Sequence, residues 1–193
     1  MWCIKSVVLL VINNEQKIEP FVVSLSSELE QIREVCEPLL YDLGFELVWL
    51  KAGAFERGGI LSVFIDKYGD ALIALDEIEK MSRLLGDVLD LKLADFPFLN
   101  HKYHLEVSSP GIERPLSRRS HFEEACEQQV QIKCVPGAGV GVSKLLGTLT
   151  QVRDDGISVL STDLKEYKIE WKAISFAHKV WSPARFSKAK AKK

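Results

Sequence analysis

The sequence predicts an α+β protein of two domains: an α-β-β-α-β two-layer unit, then a small all-β barrel. Three observations predict it. In the first half, apolar residues recur at helical steps in two stretches and alternate at strand steps between them. In the second half, five short strand patterns crowd together with only one brief helical stretch before them. The charge also changes sign along the chain. Through Glu113 there are 10 Lys+Arg against 19 Asp+Glu, and beyond it 15 against 8.

The elements follow in order. Residues 1–24 show no period and are expected to be an N-terminal extension. From Leu25, apolar residues at 25, 29, 32, 36, 39 and 43 describe one face of a helix. Ser27 and Glu30 fit a capping box at its start, and Gly44 fits its stop. Phe45, Leu47 and Trp49 alternate as a strand, Arg57-Gly58-Gly59 turns the chain, and residues 60–66 form a second strand. Ile78, Met81, Leu85 and Val88 mark a second helix, whose first turn holds Asp76, Glu77 and Glu79 as the helix dipole favours. Residues 95–100 read as loop. Tyr103, Leu105 and Val107 alternate as a third strand, so residues 25–112 predict two helices on one face of a three-stranded sheet.

Pro110-Gly111 and Arg114-Pro115 place the domain boundary, because proline cannot continue a ladder and stiffens a connector. A short helical stretch near residues 122–126 precedes candidate strands at 130–135, 145–152, 157–161, 167–171 and 174–177. Asp155-Gly156 is a strong hairpin turn. Five short strands in about 65 residues predict a closed barrel of the Sm or SH3 type over residues 113–183. Residues 184–193 are a basic tail.

The bulk numbers are those of a globular chain: 193 residues, 47% apolar and 27% charged. The apolar run at residues 7–12 is too short to span a bilayer and lacks a cleavage site, so neither a membrane span nor a signal peptide is expected. Cys3, Cys36, Cys126 and Cys134 form no CxxC pair and no disulfide framework, as suits reducing cytosol.

Motifs of catalysis fail on spacing. Residues 136–144 are glycine-rich and end on Lys144, but no glycine directly precedes that lysine and no helix pattern follows. A hairpin loop is the reading that remains. Ser108 and Ser109 lack the surroundings of a nucleophile elbow. His101 and His104 straddle a loop-to-strand junction with no third ligand pattern, and His121 and His178 are isolated. No catalytic residue, metal or cofactor is therefore expected. Basic residues at Arg118, Arg119, Lys133, Lys144, Arg153, Lys168, Lys172, Lys179 and Arg185 are interspersed with Tyr167, Trp171 and Trp181. That mixture suits phosphate contact and base stacking, and equally a solvated surface around an aromatic core.

One stretch is more specific. Tyr103-His104-Leu105-Glu106-Val107-Ser108-Ser109-Pro110-Gly111-Ile112-Glu113-Arg114-Pro115-Leu116 resembles the LEVSSPG-[LI]-[DE]-RPL signature of the ribosome maturation factor RimP family. Gly44-Phe45-Glu46-Leu47-Val48 resembles that family's GFELV strand, Asp66 its acidic residue closing the second strand, and Phe122 its aromatic residue after the signature. The resemblance covers roughly residues 25–180. It implies a cytoplasmic, non-enzymatic, monomeric factor that binds free or immature small (30S) ribosomal subunits. The implied partners are small-subunit rRNA and small-subunit ribosomal protein number twelve, the latter chiefly through the barrel. An RNA-binding chaperone or an RNA-processing enzyme is the alternative. Two readings of Arg114 stand equally: an ion pair across the boundary, with Glu106, that sets the angle between domains, or a signature that merely stabilises the linker. Residues 1–24 have no counterpart in the family, so a start at Val22 or Val23 is also expected to be possible.

Overall fold

The structure is a computed structural model, and it describes residues 18–55, 58–69, 71–92 and 103–181. Chain contacts divide it into two units, one formed by Leu25–Pro110 and the other by Pro20–Ser24 together with the chain from Gly111 onward. The class is α+β, with two sheets and three helices among the described residues.

In the first unit, helix α1 spans Ser27–Asp42. Its N-cap is Ser26, one residue before the sequence expectation, and the Ser26 hydroxyl accepts the Leu29 N–H at 3.4 Å. Glu30 takes no part in a capping box. It pairs with Arg33, which also bonds Glu37 one turn on. Gly44 ends the helix at φ +83°, a conformation open to glycine, with its N–H on the Tyr41 carbonyl at 2.9 Å.

Strand β1 (Phe45–Phe55) pairs antiparallel with β2 (Gly58–Lys67). Helix α2 (Leu75–Leu91) is the crossover that lets β3 (Tyr103–Ser108) lie parallel to β2. The sheet order is β1-β2-β3. Ile32, Cys36 and Leu40 of α1, and Met81, Leu85 and Leu89 of α2, are buried. Leu89 rather than Val88 completes the apolar stripe of α2. Leu61, Val63 and Ile65 of β2 are buried as well. Glu77 locks the start of α2: its carboxylate accepts the Ala74 N–H at 2.8 Å and pairs with Lys67 of β2 at 2.7 Å.

In the second unit, helix α3 (Arg119–Glu124) leads into β4 (Gln129–Cys134), β5 (Lys144–Val152), β6 (Gly156–Ser161), β7 (Glu166–Glu170) and β8 (Ile174–Lys179). A single 3-10 turn, Trp171–Ala173, separates β7 from β8. All pairings are antiparallel, in the order β7-β6-β5-β4-β8. Here the structure departs from the sequence expectation of a closed barrel: among the described residues β7 and β8 do not pair, and the sheet is open.

The reason is visible at β8. Its outer backbone groups are already engaged, with Leu116 N–H on Ala177 O at 2.8 Å and Lys179 N–H on Arg114 O at 3.0 Å. The next segment outward is Pro20–Ser24, where Val22 N–H meets Ser117 O at 2.7 Å and Phe21 bridges Arg118. Phe122, Leu116, Ile132, Leu149, Val159 and Ile169 form the buried centre of this unit. No helix among the described residues is long and apolar enough to cross a membrane.

Candidate nucleic-acid interface

The basic residues of the second unit separate into groups that the sequence could not distinguish. Arg118 is buried, 3% exposed, with its guanidinium 4.8 Å from the centre of the Phe21 ring. It is a packing residue and offers no charge at the surface. Arg119 is exposed but bonds both Glu123 at 2.8 Å and Asp154 at 2.7 Å. These contacts raise its pKa and neutralise it locally. Lys172 is held at 2.7 Å by Glu170, whose hydrogen bond and charge raise its pKa. Lys179 is half-buried, and desolvation lowers its pKa; the charge of Glu124 opposes that shift and Arg114 adds to it. Arg153 is partly buried and lies 3.6 Å from Asp155. Arg185 lies outside the described residues.

Lys133, Lys144 and Lys168 remain exposed, and among the described residues none of the three has a carboxylate partner. All three point away from the core, as the burial alternation of their strands requires. Lys133 and Lys144 are cross-strand neighbours on β4 and β5.

The aromatic residues also divide. Trp171 packs edge-on against Phe122 with ring centres 5.1 Å apart and donates its indole N–H to Asp154 O at 3.0 Å. It closes the hairpin rather than offering a stacking face. Tyr167 lies beneath Lys165, whose ammonium is 4.9 Å from the ring. The rings beside the unpaired lysines are Phe176 and His178 of β8. Sequence reasoning had not singled them out for stacking, although their spacing of two along β8 places both on one face.

His121 is buried in the first turn of α3. Its Nδ1 accepts the backbone N–H groups of Ser117 at 3.3 Å and Arg118 at 3.5 Å, so it serves as a helix-start cap. Among the described residues no group of three His, Cys, Asp or Glu is placed to hold a metal ion.

The signature residues spread over both units. In the first, Leu105 and Val107 are half-buried on β3, and exposed Glu106 accepts the Ser62 hydroxyl at 3.2 Å. Ser108 ends the strand opposite Phe64, and Ser109 and Pro110 leave it. In the second, Gly111 adopts φ +69°, Pro115 bridges His178, and Leu116 is fully buried. The motif that looked continuous therefore serves two jobs: a strand in one unit and the outer lining of β8 in the other.

These features define a two-unit α+β protein in which an acidic helix-and-sheet unit is joined to a basic open β-sheet. Residues 35–113 match the family model of the RimP N-terminal domain. That match covers less than half of the chain and supports, through its first unit, the RimP family of ribosome maturation factors.

Proposed function

We propose that this protein is a non-enzymatic maturation factor of the small (30S) ribosomal subunit. It binds free or immature subunits in the cytoplasm as a monomer, and its second unit contacts small-subunit rRNA and small-subunit ribosomal protein number twelve. The observation that carries the reading is the match of residues 35–113 to the RimP N-terminal domain, with the signature through Leu116 extending it. The exposed Lys133, Lys144 and Lys168 support contact with a polyanion, since each neutralised phosphate releases counterions. The five-stranded antiparallel order, with a 3-10 turn before the last strand, supports an Sm-like reading of the second unit.

Co-sedimentation tests the proposal. The protein is expected to travel with free small subunits and not with whole ribosomes, and cells lacking it are expected to accumulate immature small subunits. Normal small-subunit rRNA processing and subunit joining in a deletion strain would overturn it.

A further inference from the structure

The connection between β4 and β5, residues 135–143, carries an arrangement that closing a hairpin does not require. Two to five residues suffice for that purpose. Val135-Pro136-Gly137-Ala138 opens it as a type II turn: proline in the second position, Gly137 at φ +80° in the third, and Ala138 N–H on Val135 O at 3.2 Å. Beyond the turn the sign of φ alternates. Gly139 stands at +77° and Gly141 at +80°, whereas Ala138, Val140 and Val142 keep the ordinary negative sign. The chain bends at each residue from 138 to 141. A Cβ at Gly137, Gly139 or Gly141 would meet nothing within 4 Å, so backbone conformation and not packing calls for these glycines.

Alternating left- and right-handed residues turn successive backbone N–H groups towards one side, and the concavity they line attracts anions. Among the described residues the N–H groups of residues 139–143 have no hydrogen-bond partner. The root of the loop is tied by contrast: Cys134 N–H donates to Ser143 O and Val135 N–H to Ala173 O, both at 2.9 Å. The root is thus held while the donors of the tip are left over. The surrounding chain has one sign of charge, since residues 128–153 include no Asp or Glu. Lys133 and Lys144, both exposed, face each other across the ladder at the root. A strand and not a helix follows Lys144, so this is not a nucleotide-binding loop, in which a helix N-terminus helps to hold a run of phosphates. The arrangement suits a single tetrahedral anion held by main-chain donors.

We propose that residues 138–143 form an anion nest that binds one phosphate group, with Lys133 and Lys144 adding attraction from the root. The ribosome-directed reading makes that group a backbone phosphate of RNA. The choice of source rests on that reading, and the site itself does not. Main-chain contact with a phosphate fixes position and carries no base identity, so binding is independent of RNA sequence.

The test follows the backbone amide resonances of the isotope-labelled full chain by NMR. Inorganic phosphate, acetate and a short oligouridine are titrated at constant ionic strength. Inorganic phosphate is expected to move the amides of residues 139–143 more than acetate does. An equal response to acetate, or shifts scattered over the surface, overturns the proposal. Oligouridine moving the same amides at a lower phosphate concentration assigns the source to RNA. Inorganic phosphate alone moving them keeps the site and rejects RNA as the source. Gly139→Ala disfavours the left-handed conformation without altering charge, and it should weaken phosphate binding about 10-fold, the loss of roughly one charge-assisted hydrogen bond. Gly139→Asn, which tolerates positive φ, should retain most of the affinity. Both variants should fold, because the position is exposed and open. Normal binding by Gly139→Ala together with loss in Lys144→Gln reduces the feature to surface charge and overturns the nest. Co-sedimentation with free small subunits is read separately: a wild type whose amides respond to phosphate but which does not travel with subunits keeps this site and rejects the ribosomal reading.

Discussion

Charge at a single residue acts according to what surrounds it. Lys168 and Lys172 lie four positions apart, yet Lys172 is tied to Glu170 and Lys168 has no carboxylate partner among the described residues. Lys168→Glu is therefore expected to weaken small-subunit binding more than Lys172→Glu, whose removed charge was already neutralised. Competition co-sedimentation at two salt concentrations would read the difference, and an equal loss would refute it. Half-buried Lys179 illustrates the opposite case. Its depressed pKa means that the fold disfavours its charged form, so Lys179→Met should raise the melting temperature at neutral pH. Among the thiols, burial pushes Cys36 up to about 12 and raises Cys134, whereas Cys126 is partly exposed. Of these three, Cys126 should alkylate first in the native protein, as peptide mapping after brief iodoacetamide treatment at pH 8 would show.

At the scale of elements, short contacts decide how each piece is held. Glu77 joins the start of α2 to the end of β2, and the Lys67 hydrogen bond, followed by the Ala74 N–H, lowers its pKa. A depressed carboxylate contributes stability above its unfolded pKa and loses it as pH falls through the folded value. Glu77→Gln should therefore flatten the fall of melting temperature with acidification below about pH 4.3. An unchanged acid limb would contradict this. In the second unit, Gly147 of β5 lies so close to β6 that a Cβ would stand 2.4 Å from Leu160 O and 2.8 Å from Val159 Cγ1. Gly147→Ala is expected to cost at least about 2 kcal/mol, or roughly 10 °C for a unit of this size. Loss of the Phe21 ring over Arg118 by Phe21→Ala should cost about 1–2 kcal/mol in the same unit.

For the whole molecule, calorimetry is expected to show two transitions, with Gly147→Ala lowering only one of them. Trypsin provides another check. Arg118 and Arg119 follow the charge reversal along the chain, but Arg118 is buried and Arg119 begins a helix. Native protein should resist cleavage at this pair, and early release of a fragment ending at Arg118 would overturn that placement. The charge split between the chain's halves also predicts that RNA binding by the full chain weakens steeply with salt, through the basic half alone.

Much of this architecture was legible without coordinates because it is written in short-range signals. Helical steps through Ile32, Cys36 and Leu40, the alternation of Phe45, Leu47 and Trp49, and the stop at Gly44 depend on residues a few positions apart. They sufficed for the α-β-β-α-β order and the β-rich second half, and the signature at 103–116 pointed to the family whose N-terminal domain model matches residues 35–113. Tertiary structure alone decided the rest. Arg118 is buried by Phe21, nearly a hundred positions earlier, and Pro20–Ser24 joins a unit whose other residues begin at Gly111. The sheet stays open because Arg114 and Leu116 have taken the outer backbone groups of β8. The Lys133–Lys144 pair exists only through the register of β4 on β5. Local periodicity fixes which side of an element a residue occupies. Which other element arrives there, and whether a charge is left without a partner, depends on pairings distant in the chain.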